Sequence, residues 1–131
     1  FPLILQNLHR YFFYAATLVV LFLWYDALLA FRFPVAGGGG EFGIGLGTVV
    51  LIANATFLSL YSFSCHSCRH LCGGGMDVLS QSPLRLKLWR QVSRLNENHM
   101  LFAWVSLVGV MLTDLYVRFV SMGYISDVRF F

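Results

Sequence analysis

Three long apolar stretches govern what this chain can become. The first, from Tyr11 to Phe31, reads YFFYAATLVVLFLWYDALLAF and carries one charge, Asp26, near its far end. About 20 apolar residues in helical form cross a hydrocarbon core. The second runs from about Phe42 to Ser64 and the third from about Met100 to Val117 or slightly beyond. In lipid the backbone must satisfy its own polar groups, so runs of this length predict helices. Only 11% of the 131 residues are charged, where soluble domains carry about 25%. The expected fold is an all-α membrane protein, a single transmembrane domain over residues 1–131 with spans at about 11–31, 42–64 and 100–118. The chain opens on Phe1 without a methionine and stops at Phe131. Segments, and further spans with them, are therefore expected to be missing at one or both ends. Phe1–Arg10 lacks the regions of a secretory signal peptide.

The connections differ in charge. Arg32, Pro34 and the glycines Gly37–Gly40 read as a turn between the first two spans. Gly43 and Gly47, four residues apart at the start of the second span, read either as a close approach for a neighbouring helix or as a flexible helix start. The second connection, about residues 65–98, reads as a polar, basic loop holding Arg69, Arg85, Lys87, Arg90 and Arg94, against one basic residue in the first. The positive-inside rule places the second loop and the N-terminus in the cytoplasm and the tail from Ser121 on the other side.

That topology gathers the reactive side chains. His9 opens the first span, Cys65, His66, Cys68, His70 and Cys72 close the second, and His99 opens the third. All three cysteines and all four histidines fall at one membrane face. An odd number of cysteines clustered with histidines fits ligands better than a disulfide framework. Ionisable groups at the edge of a membrane are functional candidates, and soft thiolate and imidazole ligands point to a metal or redox centre.

In a straight helix Cys65, Cys68 and Cys72 share one face, and His66 and His70 share another, roughly opposite. One regular helix cannot wrap both sets around one small centre. Either the helix breaks near Gly73, or one set binds and His9 and His99 supply partners. Structural zinc accepts Cys and His but carries no electrons, so it gives no reason for the membrane setting. Haem b with two histidines suits membrane helices. A Rieske-type [2Fe–2S] centre takes two Cys on one iron and two His on the other, which these residues supply without the spacing of soluble Rieske proteins.

The motifs resemble the membrane-anchor subunit of succinate dehydrogenase and fumarate reductase complexes. Asn7-Leu8-His9-Arg10 looks like the family's Leu-His-Arg motif, and Ser67-Cys68-Arg69-His70 looks like its Gly-Ile-Arg-His motif, followed by an Asp, here Asp77. The resemblance covers about residues 7 to 120. It is closer still to a haem-free subgroup with a membrane-embedded Rieske-type cluster. There Asn-Phe-His-Arg-Tyr, Cys-His-Ser-Cys-Arg-His and His-Met-x-Phe-Ala-Trp recur; here they read Asn7 to Tyr11, Cys65 to His70 and His99 to Trp104. The common haem b anchors hold a ligand histidine two helical turns before the histidine of Gly-Ile-Arg-His. That position is Phe63, which cannot ligate iron.

The resemblance implies a subunit of a succinate:quinone oxidoreductase in the prokaryotic inner (plasma) membrane, with the Cys/His cluster on the cytoplasmic side. A flavoprotein subunit oxidises succinate, an iron–sulfur subunit passes on the electrons, and the anchor and further anchor helices deliver them to quinone within the lipid. No succinate-oxidising site is expected in this chain, nor any nucleic-acid partner. The implied metal ligands are Cys65 and Cys68, with imidazoles from His66, His70 and His99; Cys72 lies beyond the family pattern and reads as packing. His9, Arg10 and Arg69 resemble quinone-pocket residues, while Arg10 and Arg69 also read as interfacial anchors reaching lipid phosphate. The alternatives are a haem b anchor of the same complex and a non-redox scaffold holding structural zinc. Asp114 and Tyr116 resemble an Asp-Tyr pair of the family's partner anchor, but they lie at the opposite face; an Asp114–Arg118 pair and an interfacial Tyr116 fit them better.

Overall fold

A computed structural model describes residues 2–35, 38–74, 78 and 82–131. Asp77 lies outside these residues. The described elements are α1 (Pro2–Leu29), β1 (Arg32–Val35), β2 (Gly39–Phe42), α2 (Leu46–Phe63), α3 (His66–Gly73), α4 (Pro83–Glu97) and α5 (His99–Ser121). Three of them, over Asn7–Leu29, Leu46–Phe63 and His99–Ser121, are long and apolar enough to cross a membrane. The helical membrane bundle expected from the apolar runs is what forms. α2 lies between α1 and α5 and packs against both.

Packing polarity follows a membrane rather than an aqueous rule. Large apolar side chains such as Phe22, Leu107 and Met111 point outward, where lipid or further helices would cover them. Small and polar residues line the contacts: Thr48, Asn54 and Ala55 on α2, Ser106 and Thr113 on α5. Without a hydrophobic drive between helices in lipid, small residues and interhelical hydrogen bonds do the joining. Trp24 Nε1 donates to Ser59 Oγ at 3.0 Å, tying α1 to α2 in this way.

The first connection is a β-hairpin. β1 and β2 pair antiparallel, with Arg32 opposite Phe42 and Pro34 opposite Gly40. α2 starts at Leu46, four residues later than the apolar run, because Gly43 to Gly45 pair with the C-terminal tail. Ile44 N–H donates to Phe131 O, Phe130 N–H to Ile44 O, and Leu46 N–H to Val128 O, at 2.8–3.2 Å. Gly43 therefore serves the tail and not a neighbouring helix: a Cβ there would approach Phe131 O to 2.6 Å.

Asp127 completes this end of the bundle. Its Oδ1 accepts the Gly47 N–H at 2.8 Å and the Tyr116 hydroxyl at 2.6 Å. The carboxylate thus caps the first turn of α2 from 80 residues away in the chain, where free N–H groups favour negative charge. Tyr116 is spoken for by this contact, while Arg118 Nε pairs with Asp114 at 2.7 Å as the spacing predicted.

Asp127→Ala removes the cap of α2 and the acceptor of Tyr116 together. We expect a loss of about 1–2 kcal/mol, read as a lower midpoint in detergent-micelle unfolding. An unchanged midpoint would show that the tail does not hold α2.

Candidate functional site

The site grows out of a helix break. α2 ends at Phe63, Ser64 caps it with helical dihedrals (φ −79°, ψ −7°), and Cys65 leaves the helical path before α3 begins. Cys65 is extended (φ −64°, ψ 142°) and is the N-cap of α3; its Sγ accepts the Ser67 N–H at 3.4 Å. The break is fastened from three directions. Ser64 Oγ donates to Tyr61 O and lies 2.7 Å from His99 Nδ1, and Asn96 Nδ2 donates to Ser64 O at 2.7 Å. A buried kink without such partners would leave backbone groups unsatisfied.

The bend makes Cys65 the N-cap of α3, and it lies with Cys68 and Cys72 in a small core with Phe13 and Val92. From α1, His9 comes to meet it: Nε2 lies 2.9 Å from Cys65 Sγ, and its ring stacks on His66 with centroids 4.8 Å apart and planes 7° from parallel. One ligand atom from each of His9, Cys65 and His66 falls within 4.8 Å of the others. His99 stacks on Tyr61 at 5.0 Å. The helix breaks at Ser64–Cys65 as well as at Gly73, where α3 ends, and α1 supplies an imidazole.

Electrostatics keep these groups in forms that a cation can use or displace a proton from. Burial, then the positive charges of His9, His70, His99 and Arg10, lowers the pKa of His66, favouring the neutral imidazole that ligates metal. Burial, then Cys72 and Cys65, pushes the Cys68 thiol up to about 11. A bound cation would expel that proton, since thiolate is the ligating form. The donor set fits a thiolate and imidazole centre. So does Ser67, 1% exposed between the two cysteines, whose Oγ has no partner among the described residues; a sulfur-bearing group beside it would accept that proton.

Not every candidate reaches this group. His70 is exposed and, with Arg69, Gly73, Gly74 and Trp89, lines a separate cavity of about 200 Å³. Arg69 stacks on Trp89, its guanidinium carbon 4.8 Å from the ring centre. Gly73 permits this arrangement, because a Cβ there would run into the indole of Trp89. Arg10 is exposed beside His9.

A larger cavity of about 360 Å³ opens directly on the cluster. His9, Phe12, Phe13, Ala16, Val19, Tyr61, Ser62, Cys65 and His99 are among its lining, drawn from α1, α2 and α5. It is an apolar slot between spans, with imidazoles, a phenol and a thiol gathered among its walls. Tyr61 was not singled out from sequence; its place one turn before Ser64, on the side facing His99, was the available signal.

A family model described as actinobacterial succinate dehydrogenase subunit SdhC matches residues 1–123. The chain belongs to this family. A chain in the solved structure titled "Mycobacterium smegmatis Sdh1 complex in the apo form" is 53% identical and superposes with a TM-score of 0.85, covering 100% of this chain and 48% of that one. The present chain thus spans about half the length of that relative. No curated protein matches it.

The geometry separates two histidines that the sequence left equivalent. His9→Ala should lower the metal held by the complex in excess of its iron–sulfur subunit's own by at least about tenfold, the scale on which metal-site partners act, while His70→Ala leaves it nearly intact. Elemental analysis of the purified complex checks this, and equal losses would remove His9 from its special place.

Proposed function

We propose that this chain is the membrane-anchor subunit of a succinate:quinone oxidoreductase and that it relays electrons from an iron–sulfur subunit to quinone. The observation that carries this reading is the convergence of His9, Cys65 and His66 beside an apolar cavity between membrane spans. Membership of the SdhC family agrees with it. Succinate is oxidised on a separate flavoprotein subunit, and the iron–sulfur subunit docks at the cluster face, which is the cytoplasmic one by the charge of its loop.

The proposed centre is a [2Fe–2S] cluster of Rieske type, with thiolates from Cys65 and Cys68 and imidazoles from His9 and His66. His99 is the further imidazole of the group, held by Ser64. Bound there, such a centre supplies one-electron transfer at a potential set by its ligands, hydrogen bonds and exposure. The chain's own work is to fix the ligands from two helices, exclude water with Phe13 and Val92, and hold the quinone ring nearby. Quinone becomes quinol by taking up two electrons and two protons. The Tyr61 hydroxyl on the cavity wall can donate a hydrogen bond to a carbonyl oxygen as charge develops there, beside His99, whose Nδ1–H is turned to Ser64. Arg10 and Arg69 do not line this cavity, so within this reading they act at the headgroup region and against Trp89.

Phe63 supports a haem-free centre. It closes α2 as an exposed aromatic ring where the resemblance would require an imidazole for haem.

Low-temperature EPR of the dithionite-reduced membrane complex, with an optical spectrum of the same sample, tests the proposal. A Rieske-type signal without a Soret band is expected. It should vanish in Cys65→Ala and Cys68→Ala and survive in Cys72→Ala. A Soret band without that signal assigns the histidines to haem b instead. Bound zinc with no redox signal assigns the site to a structural metal.

A further inference from the structure

α4 meets the Cys/His group only through Val92 and Asn96, yet it is a long, strongly basic helix. Its sequence, PLRLKLWRQVSRLNE, divides into three faces. Leu86, Trp89, Val92, Ser93 and Asn96 form the less exposed side, turned to the rest of the chain. Lys87, Arg90 and Arg94, spaced i, i+3 and i+7, make a continuous cationic stripe, and they line a groove of about 380 Å³ with Pro83, Leu86 and Gln91. Beside that stripe, Leu84 and Leu88 at i and i+4 stand 71% and 43% exposed. Glu97 is the only acidic residue of the helix, at its last position. The ion pairs among the described residues are Arg118–Asp114 and Arg129–Glu41, both at the far end of the bundle, so the three cations of the stripe have no acidic partner there.

The place of α4 decides what this pattern meets. Only Asn98 separates α4 from α5, and Asn96 holds the last turn to Ser64 at the end of α2. The helix is therefore pinned at the level where two spans leave the hydrocarbon. Exposed leucines flanked by Lys and Arg, fixed at that level, match the pattern of an interfacial helix.

We propose that α4 is a binding site for anionic phospholipid. The Lys87–Arg90–Arg94 stripe grips phosphate-bearing headgroups, and Leu84 and Leu88 rest at the boundary of headgroup and acyl chain. The charge is complementary, the phosphate oxygens accept what Arg donates in pairs, and the adjoining leucines call for acyl chains rather than a hydrated surface. This inference rests on the spans alone and is independent of what the Cys/His group holds.

The test uses the intact membrane complex, delipidated in detergent and titrated with fluorescent phosphatidylglycerol, with phosphatidylcholine as the neutral reference. K87Q/R90Q/R94Q should weaken phosphatidylglycerol binding about 100-fold, from roughly fivefold per cation near an anionic surface, and leave phosphatidylcholine binding unchanged. The charge-preserving K87R/R90K/R94K, which loses paired donation at two positions and gains it at one, should stay within about fivefold of the parent. Undiminished phosphatidylglycerol binding by the Gln variant would overturn the proposal, and so would equal losses in both variants. Displacement of the lipid by millimolar inorganic phosphate would mark a site for free anion instead. Loss of the water-soluble subunits from the Gln variant with lipid binding retained would make the stripe a protein interface.

Discussion

The bend at Ser64–Cys65 is the constraint on which the reactive end of this molecule depends. A helix that ran straight on from α2 would carry the cysteines and histidines on opposed faces, out of reach of one another. By leaving the helical path at Cys65, the chain starts a new helix whose first turn carries His66 and Cys68. Making such a bend at a membrane edge costs backbone hydrogen bonds, each worth a few kcal/mol if left unmade in an apolar setting. The Ser64 hydroxyl and the Asn96 amide replace them at Tyr61 O and Ser64 O, and His99 holds the Ser64 hydroxyl in place. The same contacts bring the ends of α4 and α5 to the bend, so one local irregularity organises three separate segments.

α2 is held at both ends by parts of the chain distant in sequence. At one end the tail supplies Asp127 to its first turn; at the other, α4 and α5 supply Asn96 and His99 to its last. Between these, few side chains are deeply buried, and small polar residues make the joins. The central span is thus positioned by its termini more than by its middle, which suits a helix whose far end must present ligands in a fixed direction.

Much of the fold was legible because hydrocarbon imposes a length and a composition, and Tyr11–Phe31 or Met100–Val117 can satisfy them only as spans. The hairpin was legible only as a turn: its pairing needs partner strands, and Arg32, Pro34 and the glycines signal a reversal without its register. The later start of α2 could not be read, since Phe42 to Gly45 are apolar enough to continue a span and are diverted by a tail far along the chain. α4 was read as loop because its apolar positions are diluted by cations, although Ser82-Pro83 followed by Leu86, Trp89 and Val92 is a helical start and spacing. At the site, the conflict of faces on one helix was plain from residue spacing. Its resolution was not, because whether Ser64 bends or continues depends on Asn96 and His99, more than thirty residues away.

The stacking of His9 on His66 and its approach to Cys65 carry a consequence for how the molecule is made. His9 belongs to α1, and its partners follow only after α2 has crossed back. The group therefore exists only once both spans have inserted in opposite directions and the chain has bent at Ser64. Were α1 to cross in the same direction as α2, His9 would lie on the other side of the bilayer and the thiols would be left without it. The group thus records the relative threading of α1 and α2, and not only their presence.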